Sequence, residues 1–236
     1  MRKLPNLHRP EAQKVVAQVP DIQVLDLPIE NMIPKIIHHI WVGEIPPPIE
    51  WIKTWYQKHP SWDHILWDNE KVFGRKWRNQ KLVDHYRERK IWHGVADVVR
   101  YEILLEYGGF MPGADSICFK AVDELLTEPI AYAVYENERV RPGLITPLYA
   151  CPKGDPFAEM LVDELGQIGS IGVPWRTTGN MFMQAMVVKH LDLTIKIWPS
   201  YFFNPVHHTG LTYKGDGTIY AQQLWGTTRG RYVSQK

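Results

Sequence analysis

The 236 residues carry 27 Lys and Arg against 26 Asp and Glu, a net charge of +1, and 44% of them are hydrophobic. That length and apolar fraction support one sizeable α/β core, and the near-zero charge removes any electrostatic ground for a nucleic-acid or anionic-membrane partner. Two cysteines, Cys118 and Cys151, make neither a disulfide framework nor a zinc spacing; no run of about 18 apolar residues offers a transmembrane helix; and the mixed, polar N-terminus lacks the apolar core of a secretory signal, so a cytoplasmic location is expected.

In chain order, residues 1–32 read as a leader without a sustained period, and residues 33–236 as the folded domain. The run KIIHHIWVG, 35–43, is apolar, β-branched and closed by glycine, which predicts a buried first strand. His38 and His39 are adjacent there and so point to opposite faces; they cannot easily share one ion and read as structural. Pro48 fits a helix's first turn. Ile49, Ile52, Trp55 and Tyr56 space one face of a helix that ends before Pro60. A second strand runs from Trp62 to Trp67, and a basic segment follows in which Arg75 to Arg89 read as a solvated helix face.

The segment HGVADVVRYEILLEYGG, 93–109, is the strongest helix, with a broad apolar face and Gly108 as its stop. Asp97 and Arg100 lie three apart, on one side of it. GGFMPGADSICF, 108–119, then reads as a turn and a strand end that present a single carboxylate, Asp115. AVDELL suggests a short helix, IAYAVYEN and GLITPLYACP suggest strands, and DPFAEMLVDELGQIG suggests a helix capped by Asp155 that stops at Gly166 or Gly169. A further helix over RTTGNMFMQAMVVKHL, a strand over TIKIWPSYFFNP and a last strand and loop over YAQQLWGTTRG complete the chain. Strands alternating with helices predict an α/β sandwich with its ligand at the carboxyl ends of the strands.

Three groups of residues carry possible chemistry. Asp97, Arg100 and Asp115 either line a polar pocket for an anionic or hydroxyl-rich ligand, or form a helix-start acid with a structural arginine; from the residues alone both readings stand. Trp41, Trp67, Trp175 and Trp225 sit beside polar turn residues, where rings serve as binding platforms or plug the core. Gln222, Gln223, Thr227, Thr228 and Arg229 either line a carbohydrate or phosphate site or belong to a fraying terminal strand. There is no Walker loop, dinucleotide fingerprint, nucleophile elbow or HExxH.

The ordered set IPKIIHHIWVG, HPSWDHILWD, ADVVRYEILLEYGGF, ADSICF and YAQQLWG resembles the glycosyltransferases with a DXD sugar-binding region. That group includes yeast-type α-mannosyltransferases and bacterial capsule and polysaccharide enzymes, and is more distantly similar to clostridial glucosylating toxins. The resemblance spans roughly residues 33–230. It implies a single-domain GT-A fold, a Rossmann-like nucleotide-binding sandwich, and transfer of a sugar from a nucleotide-sugar donor with retention, assisted by Mn²⁺ or Mg²⁺. The acceptor is open: glycan, protein, lipid-linked saccharide or nucleic acid.

By position, the resemblance assigns Asp97, Arg100 and Asp115 to the catalytic centre. It assigns Trp41, Trp67, Gly113, Gln223 and Trp225 to the donor site beside them, and the metal to Asp115. Alanine at Asp115 or Arg100 is then expected to abolish transfer and leave the fold intact. The chain departs from the family in three places. Gly113 stands where the first Asp of DXD is expected, Gln223 where a His often serves as metal ligand, and TTGN, 177–180, where TGP is common. Three readings follow: a transferase with a weakly held metal, a transferase that dispenses with it, and a degenerate relative that binds nucleotide-sugar or glycan, or scaffolds a partner, without turnover.

Overall fold

The computed structural model describes residues 32–226. The 1–31 part of the expected leader, and Thr227, Thr228 and Arg229, lie outside them. Six strands form the main sheet in the order β2-β1-β3-β6-β5-β7: β1 Ile36–Ile40, β2 Asp63–Trp67, β3 Gly109–Phe110, β5 Ala131–Val134, β6 Ala150–Cys151 and β7 Ile195–Trp198. β1 pairs parallel with β2 and β3, and β5 with β7, while β6 runs antiparallel between β3 and β5. A separate two-stranded ribbon pairs β4, Ser116–Cys118, with β8, Ala221–Gln223.

Both faces of the main sheet are covered, as a largely parallel sheet requires. Alternation along β5 sends Ala131 and Ala133 into one apolar cluster and Tyr132 and Val134 into the other. The first cluster packs under α3 (Gln80–Glu88), α4 (Trp92–Tyr107) and α5 (Pro156–Gly166); the second holds Trp55 of α1 (Ile49–Lys58) with Phe110, Trp198 and Phe203. β1 shows the same parity. His38 faces Trp67 and Tyr107, while His39 faces Trp55. His38 is a satisfied structural histidine, as expected; His39 is buried as well, but its Nε2 has no hydrogen-bond partner among the described residues. Trp67 Nε1 donates to His38 Nδ1 at 3.1 Å, which leaves His38 Nε2 to donate to Gly108 O at 2.9 Å, and burial holds the imidazole neutral, its pKa lowered to about 4.

Most element expectations hold with shorter bounds. Asp155 caps α5 by accepting from the Phe157 and Ala158 amides, and Gly108 closes α4 at φ 66°. Others shift. The α1 face narrows to Ile52 and Trp55, because Ile49 and Tyr56 are exposed. The basic segment splits into α2, Asn69–Phe73, and α3. Buried Glu102 on α4 accepts from the Arg78 and Asn79 amides at 2.6 and 2.8 Å, satisfying donors at the start of α3. Expected strand GLITPLYACP reduces to β6, and AVDELL to a 3₁₀ turn, Asp123–Leu125. RTTGNMFMQAMVVKHL folds as α6, Pro174–Thr177, and α7, Asn180–Lys189.

Candidate active site

From β1 the chain first builds β2 on one side, then returns through α3 and α4 to build β3 on the other. Loops leaving the carboxyl ends of β1 and β3 therefore diverge, and the crevice between them is the switch-point position where open α/β sheets bind ligands. α4 starts at that edge of the sheet and runs away from it. Its first turns carry His93, Ala96, Asp97 and Arg100 at helical spacing into the crevice.

A cavity of about 530 Å³ occupies this position. Trp41, Asp97, Arg100, Gly113, Asp115, Gln223 and Trp225 all line it, so residues scattered from 41 to 225 meet in one place. Trp67 does not. It is buried in the core against Trp77 and Tyr107, and its indole N–H is taken by His38. Its expected role beside the donor is corrected: Trp67 ends β2 level with Ile40, a lining residue, but its ring turns into the core. Lys90, Trp92, His93 and Ile45 also line the cavity and were not anticipated. His93 was readable, since 93, 97 and 100 share a helix face. Lys90 was not, because it sits in the α3–α4 turn with φ 55°.

Asp97 is held in low-dielectric surroundings. Burial lifts its carboxyl from 3.8 to about 7, opposed by Arg100 and by the Thr178 hydroxyl, which donates to Oδ2 at 3.4 Å. Thr178 belongs to the TTGN stretch, and Gly179 also packs on Asp97. Arg100 is anchored through Nη1 to the carbonyls of Met111, 2.6 Å, and Leu148, 3.1 Å. Its guanidinium is thus tied to the loop that carries Gly113 and Asp115.

Asp115 lies in the turn before β4, rather than at the carboxyl end of a strand. The β4–β8 ribbon sets Ser116 opposite Gln223. Leu224 N then donates to Asp115 O at 2.8 Å, Gly226 N to Asp115 Oδ2 at 2.8 Å, and Gln223 Nε2 to Asp115 Oδ1. Trp225, at φ 56°, turns its ring back over His207 and His208 and donates from Nε1 to Val206 O.

A second cavity of about 810 Å³ lies around Tyr201, Tyr213 and Arg139. The carboxylate among its lining residues, Glu138, is engaged by the Ser200 amide and hydroxyl. The smaller cavity, with two carboxylates and an arginine converging, is the site with the means for chemistry.

Comparison with known proteins bears on family and fold. Residues 48–131 match the family described as glycosyltransferase sugar-binding region containing DXD motif. Inositol phosphoceramide mannosyltransferase 3 of Schizosaccharomyces pombe is 31% identical over 143 residues, 56% of this chain and 37% of that protein. Mannosyl phosphorylinositol ceramide synthase SUR1 of Saccharomyces cerevisiae is 35% identical over 107 residues, 43% of this chain and 28% of that protein. The matched stretches therefore span well under half the length of these relatives. The PaToxG glycosyltransferase structure superposes with a TM-score of 0.55 at 14% identity, over 68% of this chain and 71% of that one. The resemblance to the DXD-region glycosyltransferases holds, and the fold is that of the GT-A glycosyltransferases.

The divalent metal implied by that resemblance fits these residues poorly. Mn²⁺ and Mg²⁺ favour several oxygen ligands, and Gly113 supplies none from a side chain. Gln223 Oε1 is buried against Gly113, without a hydrogen-bond partner among the described residues, and closed to solvent. Among the described residues, the group of three His, Cys, Asp or Glu with ligand atoms within 4.8 Å of one another is Glu136, His207 and His208, and Asp115 is not part of it. Glu136 there already accepts from Asn180 Nδ2 at 2.5 Å and from Arg141 Nη1 at 3.3 Å.

Proposed function

We propose that this chain is an active glycosyltransferase that binds a nucleotide-sugar in the switch-point cavity and transfers the sugar to an acceptor hydroxyl with retention of configuration. The observation that carries this reading is the convergence of Trp41, Asp97, Arg100, Asp115 and Trp225 on one cavity at the carboxyl ends of β1 and β3. Its volume, about 530 Å³, lies within the range of roughly 300–1,000 Å³ typical of small-molecule sites. The indoles of Trp41 and Trp225 offer flat apolar surface for a base or a sugar ring. In the transfer, the bond from the anomeric carbon to the diphosphate oxygen breaks, the acceptor oxygen bonds to that carbon, and the acceptor proton passes to the departing diphosphate oxygen. Negative charge grows on the diphosphate, and Arg100, held rigid by two carbonyls, is placed to stabilise it. Asp97 and Asp115 offer acceptors for sugar hydroxyls.

The relatives named above are a mannosyltransferase and a mannosyl synthase acting on phosphorylinositol ceramides. A nucleotide-activated mannose is accordingly the first donor to try, and an inositol phosphoceramide headgroup the first acceptor. The test is binding and hydrolysis across a panel of nucleotide-sugars, with Mn²⁺, with Mg²⁺ and with EDTA. Turnover of one donor is expected, lost in Asp97→Asn. Binding without turnover across all acceptors would shift the chain to a non-catalytic role, and no binding of any donor would overturn the reading.

A further inference from the structure

We infer that Gly113 and Gln223 are a coupled replacement that closes the metal position beside Asp115, so that the site takes a nucleoside diphosphate without a divalent ion. The inference rests on the donor-site reading for its ligand, but its first claim, the closure, stands on geometry alone.

A Cβ built on Gly113 falls 2.3 Å from Gln223 Oε1 and 3.1 Å from its Cδ and Nε2. The amide of Gln223 therefore fills the volume that any side chain at 113 would enter. From that position Nε2 donates to Asp115 Oδ1, while Gly226 N holds Oδ2. A hydrogen-bonded carboxylate keeps lone pairs and is not by itself barred from a metal. The bar here is the missing partners. Position 113 offers no carboxylate, position 223 offers a donor in the direction of Asp115, and the acceptor end of that amide is sealed against Gly113. The two departures are thus one structural event. A side chain at 113 forces Gln223 away and releases Asp115, and removing Gln223 leaves a hollow beside Gly113.

A cation is still needed opposite the diphosphate, and the cavity supplies two, Lys90 and Arg100, the second held by its carbonyl partners. Lys90 stands in the turn between α3 and α4 with φ 55°, a left-handed conformation uncommon outside glycine and frequent at ligand-binding positions. Its ammonium reaches Glu44 at 2.5 Å, and both side chains are largely exposed. Water screens this pair, so the ammonium can exchange Glu44 for a phosphate at little cost. A lysine and an arginine in a partly enclosed cavity deliver the two positive charges that a divalent ion otherwise brings.

The test combines calorimetry of Mn²⁺ alone on the full chain with binding of UDP and GDP in EDTA. Wild type is expected to show no saturable Mn²⁺ binding, and Gly113→Asp with Gln223→His together to gain it, by at least about tenfold over either single change. Gly113→Asp alone is expected to gain less than the pair, since it pushes Gln223 aside but leaves an amide where the pair supplies an imidazole ligand, so the cycle should be non-additive. Either UDP or GDP is expected to bind wild type equally in EDTA and in Mn²⁺, and to lose roughly tenfold or more in affinity in Lys90→Met. Mn²⁺ binding by wild type that Asp115→Asn removes, or nucleotide binding that appears only with Mn²⁺, would overturn the inference. The wild-type titrations need no variant, so a misfolded double variant still leaves the matter decided. Should neither nucleotide bind under any condition, the donor-site reading fails, while the Mn²⁺ titration still decides whether the metal position is closed.

Discussion

Asp97 carries the clearest pH signature of any residue at the cavity. Unfolded, its carboxyl releases its proton near 3.8; folded, it does so near 7. The folded state therefore binds the extra proton between those values, so Asp97's contribution is most favourable below about 4 and is lost as pH rises through 7. Asp97→Asn is expected to be more stable than wild type at pH 8, by on the order of 1–3 kcal/mol after allowing for solvent at a partly exposed group. The gap should close near pH 4. Urea titrations at the two pH values check this, and an equal difference at both would remove the assignment. Arg100 also has a structural tie that the sequence does not show. It holds the carbonyls of Met111 and Leu148, so Arg100→Ala strips two acceptors of their donor and should cost about 1–3 kcal/mol of stability as well as transfer. A variant that melts like wild type would contradict the observed bonds. The pairing of Asp97 with Arg100 was legible because helical spacing fixes which residues share a face. Thr178 behind Asp97 was not, since a side chain 81 residues away leaves no local trace. Nor was the position of Trp67, because ring-rich strand ends look alike whether the indole turns toward a cavity or finds an imidazole inside the core.

At the scale of elements, the site depends on two pieces that hold loops in place. Gly43, just past β1, takes φ 113° and exchanges two 2.8 Å hydrogen bonds with the Asn69 side chain at the start of α2. A Cβ there would lie 2.7 Å from the Trp92 ring, itself part of the cavity wall. Gly43→Ala should lower thermal stability by about 1–3 kcal/mol and weaken ligand binding, because Trp41 is carried on this loop and the added methyl presses on the Trp92 ring of α4. An alanine variant with unchanged melting and binding would show that the loop is not fixed by this contact. The β4–β8 ribbon is the second piece. It joins residues 108 apart to set Gln223 against Asp115. YAQQLWG was readable as a strand, but its partner was not, since pairing across so long a separation is decided by the closed core and not by either segment's pattern. The TTGN stretch shows the same limit: its role emerges only when α6 and α7 fold it against α4.

For the whole molecule, the alternation of strands and helices predicts the sandwich, and the sandwich predicts where a ligand sits. Neither reveals that β6 runs against its neighbours, because a two-residue strand carries no directional signal. The sheet places the diverging loops of β1 and β3 at one edge, α4 brings its first turns to the same edge, and the β4–β8 ribbon closes the remaining side. The central claim is that this convergence is a nucleotide-sugar site. Hydrogen exchange of the full chain with and without a saturating nucleotide-sugar tests it most directly. Protection is expected in 41–45, 90–100, 111–115 and 221–226, the stretches that line the cavity. Protection confined to the groove around Tyr201 and Tyr213, or none with any donor, would contradict it.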